Sequence, residues 1–214
     1  MARYAIATED KQARREAILD AAKTLFLAGD GTLPSAGDIA NASKLAKGTV
    51  YLYFRTKEEI FSALLAASLL DSLKELESVL SELKGRRADK VASFIASFVS
   101  IIESRPELLR LDAISYGVLE KNLEAETMLE VKREFIIALS HTASMIEFVM
   151  KIAAGRGVLL LMRTFAMTRG IWQASQPCDI DLLDEALALP VLQPVFHTEL
   201  TEALNEYWRG ALAS

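Results

Sequence analysis

A chain of 214 residues, 51% of them hydrophobic and with only ten glycines and five prolines, can bury a sizeable core and has the composition of an all-helical protein. Its single cysteine, Cys178, excludes an internal disulfide framework and fits a reducing cytosol. A net charge of −5 argues against a general nucleic-acid binder, but residues 1–57 hold nine basic against six acidic residues and the rest fifteen against twenty-three, a weakly basic head on an acidic body.

Residues 1–9 carry charges and no apolar segment of signal-peptide type, and read as a loose arm. From Asp10 to Ala28, Ile18, Ala22, Leu25 and Phe26 recur at helical spacing, and Gly29 suits a left-handed cap. This stripe is expected to pack on Ile39, Val50 and Phe54. Ser35 with Asp38 three residues later has the form of a capping box, opening a short helix whose apolar face is Ile39 and Ala40. That face ends at Ala42, Ser43 and Lys44, and Leu45 can plug the corner. Ala46 to Leu52 then fits a second helix of about two turns. Thr56, with Glu59 as a second capping box, opens a third. Two short helices joined by about three residues have the dimensions of a helix-turn-helix.

The polar residues of the second short helix carry the functional information. Lys47, Gly48, Thr49 and Tyr51 cluster near its start, where a recognition helix presents side chains to base edges. Gly48 costs a helix about 1 kcal/mol against alanine, which makes sense if something must approach the backbone closely. Thr49 and Tyr53 share a face. Lys57 stands in the first turn of the following helix, where a cation opposes the macrodipole unless an anion such as a phosphate is near. Ser35, Leu45, Lys47, Gly48, Thr49, Tyr51, Tyr53 and Lys57 are therefore the candidate DNA-binding set, with Arg3 of the arm a further contact. Taken singly, the tyrosines read equally well as core aromatics and the lysines as solvated charges; together, in this order, they favour DNA.

The rest of the chain reads as helix after helix. A fourth runs from Lys57 to about Leu83 with no Gly or Pro from Thr56 to Lys84, its leucines 69, 73, 76, 80 and 83 forming an apolar seam. Val91, Phe94, Ile95, Phe98, Ile101 and Ile102 mark a fifth, and a sixth starts after Ser104-Arg105-Pro106-Glu107 and runs to about Leu119. A seventh spans Asn122 to Met150 and an eighth Val158 to Ser175. Gln176 to Pro194 is a connector with room for a short helix after Asp181, and a last helix covers Val195 to Leu212. The most apolar runs, Phe61–Leu70 and Val158–Met162, are far short of the ~20 residues that span a bilayer, so a soluble, cytoplasmic protein with no membrane partner is expected. The eighth helix is apolar all round at its start, and the last carries Phe196, Leu200, Leu204, Tyr207 and Trp208 on one face. With Met162 and Phe165, these residues can pair with a second subunit or form a monomer core under a surface helix.

Chemistry has little to work with. His141 and His197 are the only histidines and neither follows a carboxylate by three residues. No Cys/His metal cluster, G-x-S-x-G or phosphate loop occurs. No enzyme, metal or cofactor is expected. His141 reads as a core histidine with a hydrogen-bond partner or as a polar anchor for a ligand.

The stretch IANASKLAKGTVYLYFRTKEEIF resembles the helix-turn-helix of the TetR family of one-component transcriptional regulators, and RREAILDAAKTLF resembles that family's first helix. Together they cover roughly residues 10 to 65. The chain departs from the pattern at Lys44, where a turn glycine is usual, at Ala46, where a capping serine is common, and at Gly37. The resemblance implies an all-α fold of about nine helices, with a DNA-binding domain over residues 1–56 and an effector-binding and dimerisation domain over 57–214. It further implies a homodimer on double-stranded operator DNA, acting as a repressor under a small effector. An apolar body points to a hydrophobic effector, with Phe94, Phe98, Tyr116, His141, Phe165 and Trp172 as candidate lining and Arg105, Arg110 or Arg163 as possible anion partners. The rival reading is a helical small-molecule or lipid-binding protein without a DNA-binding role.

Overall fold

The computed structural model describes residues 2–176 and 194–213, with the backbone alone at residues 2–9 and at Tyr116. Cys178 and the short helix expected after Asp181 lie outside the described residues. Among those described there are nine α-helices and no strand. They are α1 (Ala2–Ala28), α2 (Ala36–Ala42), α3 (Lys47–Tyr53), α4 (Lys57–Glu82), α5 (Arg87–Glu103), α6 (Pro106–Ile114), α7 (Ala125–Met150), α8 (Arg156–Ala174) and α9 (Phe196–Ala211).

Boundaries differ from the expected ones where local chemistry permits more or less helix. The loose arm is instead the first two turns of α1, because residues 2–9 contain neither glycine nor proline and are rich in alanine. The sixth helix does not reach Leu119 as α-helix: it ends at Ile114, widens into a π-helical turn at Ser115–Leu119 and tightens into a 3-10 turn at Glu120–Asn122. Gly155, at φ 82°, lets α8 start two residues early.

Two compact units form: Met1–Leu70 with Arg105–Phe135, and Asp71–Ser104 with Ile136–Ser214. In the first, Ile18, Ala22 and Phe26 of α1 meet Ile39, Val50, Phe54, Ile60 and Phe61 in one cluster, as the stripe predicted. Phe26 and Phe61 stack tilted, with centroids 5.6 Å apart. Burying such a side chain fully is worth about 1.5–3 kcal/mol. Leu111 and Leu119 belong to the same cluster, so residues 105–119 complete the core of the helix-turn-helix head.

A buried charge ties those pieces together. Glu107 of α6 is 1% exposed, and its Oε1 accepts from Lys23 Nζ of α1 at 2.8 Å and from Ser68 Oγ of α4 at 2.6 Å. Among the described residues its Oε2 is buried without a hydrogen-bond partner. A carboxylate this deep persists because it is paired and bonded.

The second unit is built around α5. Phe94 and Phe98 stack 6.4 Å apart, Phe94 meets Trp208 of α9 at 4.8 Å, and Phe98 meets Phe165 of α8 edge-on at 5.6 Å. Trp208 Nε1 donates to the buried Thr164 Oγ1 at 2.9 Å, which satisfies an indole that would otherwise be stranded. Leu200, Leu204 and Trp208 are fully buried here, and no helix among the described residues is long and apolar enough to cross a membrane.

Candidate nucleic-acid interface

The turn of the helix-turn-helix is set by hydrogen bonds that its sequence makes unusual. Ser35 caps α2: its Oγ accepts from the Asp38 N–H at 3.2 Å while the Asp38 carboxylate reaches back to the Ser35 N–H at 3.3 Å. At the other end the Leu45 N–H donates to the Ala40 carbonyl and the Lys44 N–H to the Asn41 carbonyl, the paired bonds of a Schellman cap. Such a cap needs a left-handed residue, and Lys44 takes φ 57° where glycine would sit without strain. Leu45, half-buried against the head's core, plugs the corner as expected. The second predicted capping box is half-formed: Thr56 Oγ1 accepts from the Glu59 N–H, but the Glu59 carboxylate takes the N–H of Arg55 rather than of Thr56.

Helix α3 is pinned by Val50, fully buried, and by Phe54, over whose ring the Arg15 guanidinium lies at 5.4 Å. Of its other residues, Tyr53 packs partly against the same core and the rest are exposed or half-buried. Lys47 and Gly48 are exposed, Thr49 and Tyr53 are half-buried, and Tyr51 is 47% exposed. A Cβ at Gly48 would meet nothing within 4 Å, so no packing inside the protein demands that glycine. The Lys47 ammonium stands 6.0 Å from the Tyr51 ring. Among the described residues Lys44, Lys47 and Lys57 have no anionic partner, which leaves three cations around one exposed helix.

Two residues absent from the predicted set belong to this surface. Leu52, on α3, is 82% exposed, an apolar side chain of the kind that contacts a thymine methyl. Its place opposite Val50 on the helical wheel was the available signal. Arg55 ends the α3–α4 corner and pairs with Glu124, 69 positions away, for which no local pattern exists. Tyr51, Tyr53, Arg55, Glu59, Glu124, Glu126 and Glu130 line a polar cavity of about 380 Å³.

The effector and dimerisation sets fare differently. Phe94, Phe98 and Phe165 come together, but Phe94 and Phe98 are fully buried and act as core. Trp172 is half-buried, and the side chain of Tyr116 lies outside the described residues. His141 is not a core histidine: it is largely exposed, with Nδ1 2.8 Å from Glu77 Oε1. An open groove of about 550 Å³ between α4 and α5, lined by Glu75, Ser78, Val79, Ala96, Ser97 and Ser100, involves none of the six. Leu200, Leu204 and Trp208 are fully buried within the chain, because the apolar face of α9 turns inward onto α5 and α8. Its outward face is acidic, with Glu199, Glu202 and Glu206 exposed. Phe165, Phe196 and Tyr207 are half-buried, and Met162 is 48% exposed beside Leu159 on α8.

An all-helical chain with a capped helix-turn-helix and unpaired cations around its second helix is a DNA-binding regulator in architecture. Residues 18–64 match the family described as bacterial regulatory proteins, tetR family, and residues 66–214 match the tetracyclin repressor-like C-terminal domain. The chain belongs to the TetR family of transcriptional regulators. A curated relative, an uncharacterized HTH-type transcriptional regulator YfiR of Bacillus subtilis, is 35% identical over 72 residues, so the match spans 34% of this chain and 35% of the relative. Among solved structures, a protein from Syntrophomonas wolfei assigned to the same family superposes with TM-score 0.62 at 17% identity, covering 95% of this chain and 97% of that one. The regulator FadR of Bacillus subtilis, solved with stearoyl-CoA, gives 0.52 at 19% identity, covering 88% and 96%.

Proposed function

We propose that this regulator is a repressor that binds operator DNA as a homodimer and releases it when a small hydrophobic or amphipathic effector occupies its helical body. The reading is carried by the surface around α3, where Lys44 of the turn, Lys47 of α3 and Lys57 at the start of α4 have no anionic partner among the described residues and Gly48 leaves the backbone open. Thr49, Tyr51 and Tyr53 face base edges and sugar, Lys47 and Lys57 hold phosphates, and Ser35 and Leu45 fix the register of the two helices. The functional boundary falls near residue 57, although residues 105–119 complete the head's core.

Dimerisation is supported by exposed Phe148 on α7 and Leu159 and Met162 on α8, apolar side chains that water does not favour. Exposed Arg163 on α8 and the acidic outer face of α9 are complementary in a two-fold pairing of these helices. Two heads about 34–36 Å apart, or a fitting multiple, engage successive turns of duplex together. An effector that reverses occupancy must discriminate between the two states by about 5.5 kcal/mol. FadR, solved with stearoyl-CoA, makes acyl-CoAs the first effector probes.

Electrophoretic mobility shift with the DNA upstream of its own gene, over a salt series, tests the reading. Lys57→Ala weakens binding to all duplexes and flattens the salt slope by about 0.9 per head. Thr49→Ala changes preference among sites. If neither substitution alters binding, α3 is not a recognition helix.

A further inference from the structure

Arg55 sits at the corner between α3 and α4, two residues before Lys57, with its side chain 70% exposed. Such a position, beside a recognition helix and level with the start of the next one, is where a guanidinium would meet the sugar-phosphate backbone. In the free protein it is instead clasped by Glu124, the residue before α7, whose side chain is 60% exposed. The pairing uses Nη1 alone, so four of the five guanidinium donors remain open. The same cavity is lined by Glu59, Glu126 and Glu130 and by Tyr51 and Tyr53. Glu59 is occupied by the Arg55 N–H, and among the described residues Glu126 and Glu130 have no cationic partner. The wall beside the recognition helix is thus negative where the rest of the head is positive.

We propose that Arg55 is a phosphate contact held in reserve, and that its ion pair with Glu124 lowers the duplex affinity of the free protein. Binding exchanges one partner for another: the guanidinium leaves a carboxylate and takes a phosphate, while the freed Glu124 returns to water. An exposed pair of this kind is weak enough to be exchanged without disturbing the fold. Because Glu124 adjoins α7, a shift of that helix start would strengthen or loosen the clasp and tune affinity without moving α3. The inference rests on the DNA-binding reading above and adds to it a residue and a control.

The test is a double-mutant cycle on the full chain, with fluorescence anisotropy against the upstream duplex and against a scrambled duplex, over a salt series. Glu124→Gln tightens binding to both duplexes about twofold to fivefold, the range set by an exposed pair, with little change in melting temperature. Arg55→Ala weakens binding to both and reduces the salt slope by about 0.9 per head. In the Arg55→Ala background the gain from Glu124→Gln disappears. Glu126→Gln controls for the loss of one negative charge at the same wall. An equal gain with and without Arg55, or a gain from Glu126→Gln as large as that from Glu124→Gln, overturns the clasp and leaves only general repulsion. Lys57→Ala in the same assay separates the two readings. If it weakens binding while the cycle shows no coupling, the clasp alone fails. If no variant and no duplex shows binding, the DNA-binding reading fails and takes the clasp with it.

Discussion

Gly48 divides an intramolecular from an intermolecular explanation more sharply than any other residue. It is the second residue of α3, exposed, and a Cβ there has nothing within 4 Å. Gly48→Ala therefore removes conformational freedom from the unfolded chain without a clash in the folded one, a gain of about 0.5–1 kcal/mol. For a chain of this length that raises the melting temperature by about 1–4 °C, and the urea midpoint rises with no change in slope. Against DNA the sign reverses. If the duplex backbone lies on Gly48, the added methyl overpacks that contact, a loss of about 1–3 kcal/mol, or at least roughly fivefold in affinity per head. The same purified variant is measured twice, by urea denaturation and by anisotropy on duplex. A variant that is stabilised and binds DNA unchanged refutes the close approach. A variant that is destabilised refutes the reading of the free space around the glycine.

Three further substitutions follow from the geometry. Lys44→Gly relieves a left-handed lysine in an otherwise intact Schellman cap and stabilises the head by about 1 kcal/mol, read as a higher urea midpoint. Gly157→Ala places a methyl 2.2 Å from the Ala143 carbonyl oxygen and 2.9 Å from Glu147 Cγ, so α8 must move off α7; a loss of about 3 kcal/mol or more is expected by thermal melting. Lys23→Met leaves the buried Glu107 carboxylate without its cation and costs about 1–3 kcal/mol, the lysine being partly exposed. Adding Glu107→Gln to Lys23→Met recovers part of that loss in the same melts.

What the sequence disclosed is what depends on neighbours in the chain. The capping box at Ser35, the corner at Leu45 and the stripe from Ile18 to Phe26 are short-range patterns, and each lies where it was read. The face of α9 is a partial case. Its periodicity shows that Leu200, Leu204 and Trp208 share one side, but a period cannot say whether that side meets the chain's own α5 and α8 or a second subunit. Phe94 and Phe98 have the same ambiguity, because pocket wall and core filling demand the same residues at the same spacing. Arg55 and Glu124 carry no local signal at all, since both are exposed charges far apart in sequence.

The membership of residues 105–119 in the head's core constrains how its helices can shift. Helix α4 runs from Lys57 to Glu82 without Gly or Pro, and Ser68 lies on it. Glu107 adds a second constraint, because the same carboxylate oxygen is shared by Lys23 of α1 and Ser68 of α4. A displacement of α6 against α4 must stretch one of those bonds or carry Lys23 with it, and leaving the charge unpaired in a buried site is the costlier course. Leu111 and Leu119, packed in the cluster that holds Phe26 and Val50, impose the same choice sterically, since a close-packed core shifts between discrete arrangements rather than deforming smoothly. The placement of α3 thus depends on a core that residues 105–119 share with α1, α2 and α4.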